Sequence, residues 1–104
     1  MNRQQQIDDF TYAFHRVAVE RLANSPENVN KALATLQRWK SQRGVTASDI
    51  YLEEWRVLLT GELDALKSRV CAHNDAAATL RNVSPLGFLL SQAERQALHQ
   101  QNVH

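Results

Sequence analysis

A chain of 104 residues with 43% hydrophobic content has the material for one core, and is expected to form a single domain spanning 1–104. Twelve basic and eleven acidic residues nearly cancel, which excludes a strongly cationic nucleic-acid binder while leaving room for a local basic patch. One cysteine, Cys71, excludes an internal disulfide; no apolar run reaches a membrane span, and the first ten residues lack a signal peptide's apolar region, so residence in the cytoplasm is expected.

The first predicted helix covers residues 4 to 23. Ile7, Phe10, Phe14 and Val17 recur at steps of three and four, with Leu22 extending the stripe. Asp8, Asp9, His15, Arg16 and Glu20 fall between them, and the two aspartates near the start suit the helix dipole. "NSPEN" (24–28) is punctuation: Ser25 is the expected cap, Pro26 the first helical residue, and Glu27 an acid in the first turn. The second helix runs to about residue 41 with Val29, Ala32, Leu33, Leu36 and Trp39 on one face, and Gly44 stops it.

Ser48 is the expected cap of a third helix, 49 to 59, whose apolar face is Tyr51, Leu52, Trp55, Leu58 and Leu59. Thr60–Gly61 breaks the chain before a fourth helix, 62 to 72, built on Leu63, Leu66 and Val70. After "HND", Asp75 is expected to cap a short helix to Asn82. Ser84–Pro85 repeats the logic of Ser25–Pro26, and "PLGFLL" (85–90) forms an apolar plug. Ser91 and Glu94 have capping-box spacing and open a last helix to about residue 101. No strand-like alternation occurs. The expected fold is all-α, a compact bundle of five to six short helices.

Catalytic chemistry finds no footing. His15, His73, His99 and His104 have no second ligand at metal-binding spacing and read as solvated surface residues. Cys71 stands at a helix C-terminus, where the dipole raises its thiol pKa. The three glycines are scattered, so no phosphate loop is present. Glu53 and Glu54, adjacent on a helix, point about 100° apart and cannot share one site. No enzyme activity, cofactor or metal is expected.

Two kinds of binding remain. Lys31, Arg38, Lys40 and Arg43 gather along the second helix around Trp39, a candidate nucleic-acid contact for a small DNA-binding regulator. A helix–turn–helix outline at Thr60–Gly61 has a second helix too poor in cations to read DNA. Seven aromatic residues and the plug, in so small a chain, suggest instead a protein partner, a second copy of the chain, or a structural place in a larger complex.

The segments "YLEEWRVLL" (51–59) and "LRNVSPLGFLLSQAERQAL" (80–98) resemble small all-helical antitoxin-like proteins of bacterial toxin–antitoxin operons. Those proteins carry an LxxW helix, a Y-[LV]-x-x-W helix and an LRxxSPFxxxLxxxER tail. Leu36 and Trp39, Tyr51 and Trp55, then Leu80, Arg81, Ser84, Pro85, Leu90, Glu94 and Arg95 carry the likeness here. The chain departs from it at Leu86, where the pattern has an aromatic, and after Arg95. The resemblance implies a partner, a cognate toxin neutralised by covering its active surface. Leu86, Phe88, Leu89, Glu94 and Arg95 are then expected to dock it or to orient the docking segment. Glu53 and Glu54, with Glu62 and Asp64, could complement a basic toxin site.

Overall fold

The computed structural model describes residues 3–44 and 46–102, with side-chain surroundings for 9–44 and 46–100. Ile7, Asp8 and His104 therefore lie outside the described side chains. Six α-helices follow one another: α1 (Arg3–Asn24), α2 (Pro26–Arg43), α3 (Asp49–Thr60), α4 (Leu63–Val70), α5 (Asp75–Asn82) and α6 (Gln92–Asn102), with a 3₁₀ turn at Gly87–Leu89. No strand occurs among the described residues, and the fold is an all-α bundle.

The long α1 is the hub. It packs against α2, α4, α5 and α6, while α2–α3, α3–α4 and α4–α5 pack as chain neighbours. Its buried face is Phe14, His15, Ala18, Val19 and Leu22. Val17, expected on the stripe, is only half-buried, and Val19 takes the deeper place. The core continues through Leu36, Leu52, Trp55, Leu59, Leu66, Val70 and Leu80 to Leu86, Leu89 and Leu90.

The helix ends follow local chemistry, with corrections. Pro26 opens α2, where a missing N–H costs nothing, but the Ser25 hydroxyl caps no backbone N–H; its carbonyl accepts from Asn28 instead (3.1 Å). Gly44 ends α2 at φ 69°, a conformation that favours glycine. Ser48 likewise makes no side-chain cap: Thr46 Oγ1 accepts from the Ser48 N–H (3.2 Å) and bonds Asp49 Oδ1 (3.1 Å). The cap of α5 is Asn74, whose Oδ1 accepts from the Ala77 N–H at 2.8 Å, and Asp75 sits in the first turn. Because α1 begins at Arg3, Asp9 lies beyond its first turn. The capping box of α6 forms as expected, with Glu94 N–H on Ser91 Oγ (3.2 Å) and Ser91 N–H on Glu94 Oε1 (3.0 Å).

Candidate functional site

The plug divides. Leu86, Leu89 and Leu90 are buried among the helices, and Pro85 is fully enclosed. Phe88 alone of these faces solvent, 43% exposed. The polar residues around the plug hold it in place. Ser84 Oγ accepts from the Leu86 N–H at 3.1 Å, and Leu89 N–H closes the turn on Leu86 O at 3.0 Å. Arg21 of α1 donates to Leu89 O (2.7 Å) and, through both terminal nitrogens, to the Glu94 carboxylate. Arg95 donates to Gly87 O and lies over the Phe14 ring. A side chain at 87 would bring its Cβ to 3.3 Å from the Arg95 guanidinium, which would have to shift slightly to admit it. Arg21 first, and the Ser91 N–H after it, hold the Glu94 carboxyl at about 2. Glu94 and Arg95 thus bind the plug to the bundle, and Leu86 and Leu89 form part of its interior rather than a surface.

Glu53 and Glu54 turn to different partners, as their spacing requires. Glu53 pairs with Arg56 one turn on, Nε standing 2.9 and 3.0 Å from its two oxygens, and this holds its carboxyl below the usual range. Glu54 reaches α4, accepting from Arg69 Nη2 at 3.2 Å. Beside them lie Ile50 (71%) and Val57 (54%), the two most exposed large apolar side chains among the described residues. Seven residues apart, Ile50 and Val57 share the outward stripe of α3 and bracket the two glutamates. The sequence reading missed them. The signal was present, since "DIYLEEWRVLLT" carries more apolar residues than one helix face can bury. A groove of about 190 Å³ adjoins this helix, floored by Leu33, Leu36 and Leu52 and rimmed by Lys40, Glu53 and Arg56. Glu62 and Asp64 are exposed.

The basic cluster of α2 separates into three places. Lys31 and Arg38 share one stripe and, with Ala34 and Thr35, line a shallow face that Phe88 completes. Lys40 is on the rim of the α2–α3 groove. Arg43 lies over the ring of Trp39 at 5.3 Å, which is half-buried.

Among the described residues, His15 and Arg81 are the buried polar or charged side chains. His15, expected on the surface, is 2% exposed because α1 turns it toward Trp55. Its Nδ1 is 2.7 Å from the Thr11 carbonyl, so Nδ1 carries the proton. Burial lowers its pKa to about 4. Arg81, central to the LRxxSP motif, donates to the carbonyls of Val70 (2.7 Å) and Ala72 (2.9 Å), where α4 leaves acceptors unmatched, and lies over Tyr12. The Leu80 carbonyl beside it accepts from Trp55 Nε1 at 2.8 Å. Neither His15 Nε2 nor Arg81 Nε meets a partner among the described residues. His73 stacks on Tyr12 and His99 sits edge-on to Phe10. Burial pushes the Cys71 thiol up. Among the described residues, no group of three or more His, Cys, Asp or Glu could hold a metal ion, and no helix is long and apolar enough to cross a membrane.

No family model matches the chain, and no curated protein or solved structure is similar to it.

Proposed function

We propose that this chain is a non-catalytic, antitoxin-like binding protein of the cytoplasm that neutralises a cognate toxin by covering its active surface, with the outer stripe of α3 as the contact. The observation that carries the reading is the exposure of Ile50 and Val57 on the same stripe as Glu53 and Glu54. Exposed β-branched side chains gain by burial against a partner, at about 25 cal/mol per Å² removed from water. Arg56 and Arg69 hold the carboxylates between them in fixed positions. Two apolar ends with ion pairs between them favour a partner with apolar side chains at matching spacing, and a cation there, as at the basic site of an RNA- or nucleotide-directed toxin, would share the carboxylates with Arg56 and Arg69. A second copy meets this less well, because a two-fold axis across α3 would set Glu53 and Glu54 against their equivalents.

The test is an affinity pull-down from the native cell with an N-terminal tag, run with the natural chain and with the double variant Ile50→Ser, Val57→Ser. The expected result is one stoichiometric protein that stops growth when expressed alone. The variant should lose it while keeping its far-UV circular dichroism. A partner retained by the variant would remove α3 from the contact. A partner harmless when expressed alone would end the toxin reading.

A further inference from the structure

Most arginines whose contacts are described are engaged within the chain. Arg21 is paired with Glu94, Arg56 with Glu53 and Arg69 with Glu54, while Arg81 is spent on the end of α4. Lys31 and Arg38 differ: neither forms an ion pair among the described residues, both are exposed, and Arg38 makes only a long bond to the neighbouring Thr35 hydroxyl (3.4 Å). They stand two turns apart on α2, about 10 Å along its axis. Between them lie only Ala34 and Thr35, small side chains that leave the surface flat, and no acid lines the face. Glu27, one turn before Lys31, marks where the basic stripe ends.

Phe88 stands at the edge of this face and, of the phenylalanines, tyrosines and tryptophans among the described residues, is the most exposed. Its backbone is fixed. Leu86 and Leu89 on either side are anchored in the core, and Arg21 and Arg95 bind the carbonyls of Leu89 and Gly87. An exposed ring presented on a rigid turn, next to two uncompensated cations, offers a stacking surface and an anion site together.

We propose that this face binds single-stranded nucleic acid, one base stacking on Phe88 while Lys31 and Arg38 hold neighbouring phosphates. The cations call for an anion, and the ring calls for a flat aromatic group beside it; a nucleotide chain supplies both. A duplex keeps its bases stacked on one another and would use only the cations, as would an acidic peptide. The face shares no residue with the α3 stripe, so this site stands or falls separately from toxin binding.

The experiment is fluorescence anisotropy of a fluorescein-labelled oligothymidylate titrated with the full chain at low salt. Saturable binding is expected, weakened roughly tenfold by Phe88→Leu, which keeps the apolar bulk but removes the ring, and preserved by Phe88→Tyr. The salt dependence should flatten by about 0.7 in log–log slope for each of Lys31→Ala and Arg38→Ala. No binding, equal binding by Phe88→Leu, equal affinity for a duplex, or displacement by polyglutamate as readily as by unlabelled oligonucleotide would each overturn the proposal.

Discussion

Arg21 grips Glu94 with both terminal nitrogens while donating a third bond to the Leu89 carbonyl, so one guanidinium ties α1, the 3₁₀ turn and α6 together. Glu94 also returns a bond to the Ser91 N–H. Glu94→Ala should therefore lower the thermal midpoint more than Ser91→Ala, since it breaks the cap and the cross-chain pair at once. Glu94→Gln should recover part of the loss, because an amide oxygen can still accept. Thermal melts followed at 222 nm decide this, and added salt should narrow the gap by screening an exposed pair.

Leu86 and Phe88, two positions apart, should respond to different degrees. Leu86 is fully buried and Phe88 is not. Leu86→Ala is expected to cost about 2–5 kcal/mol, the range for opening a cavity at a buried leucine. Phe88→Ala should cost less, on the order of 1 kcal/mol, because only part of the ring is out of water. Urea titrations of the two variants check the contrast. Similar losses at both sites would mean that the turn is packed as a unit.

Arg81→Met should destabilise by about 2 kcal/mol, because hydrogen bonds from a charged group to the Val70 and Ala72 carbonyls are lost. The variant also relieves the cost of burying a charge, which keeps the loss below that of breaking a buried ion pair. Arg81→Lys should fall between, since both bonds come from one terminal nitrogen, which the shorter lysine places less well. Chemical denaturation at neutral pH measures all three forms.

His15 sets a pH dependence whose sign follows from its burial. Its pKa is about 4 in the folded chain against 6.5 for the free side chain. Between those values the unfolded chain takes up the proton and the folded chain does not, so stability rises with pH. The contribution is complete above pH 6.5 and is lost as pH falls to about 4, for a total of about 3 kcal/mol. Glu94, held at about 2 against 4.5, acts lower: its share is present above pH 4.5 and lost as pH falls through about 2. Urea midpoints from pH 7 to 2 should show both stages, and His15→Leu should remove the upper one alone.

The helices were legible in the sequence because periodicity and punctuation agree, as at Pro26, Gly44 and the Ser91–Glu94 box. Individual caps were less so. Ser25, Ser48 and Asp75 each have the right chemistry, yet no side chain caps α2 or α3, and α5 begins at Asp75 itself, which moves the cap one residue back to Asn74. His15 was misplaced since a polar residue at a core position looks like a surface one until the hub role of α1 is known. The Glu94–Arg95 end of the tail motif left a docking segment and a clasp that orients one both open; the side chains stay at the surface and bond within the chain, which only the contacts could reveal. The α3 stripe was hidden by its own richness: Ile50 and Val57 look like core until Leu52, Trp55 and Leu59 are seen to fill the interior.

The hub position of α1 also sets a schedule. It is synthesised before every helix it packs against, and its partners α4, α5 and α6 come late in the chain. On the ribosome the part of its apolar side that α2 does not cover therefore waits, while α2, α3 and α4 can meet their immediate neighbours as they emerge. Closing α1 onto α6 then spans nearly the whole described length, the costliest loop in the fold. A nascent chain halted before Glu94 would lack the residue that Arg21 grips. Such a chain should be more open to proteases than the finished bundle.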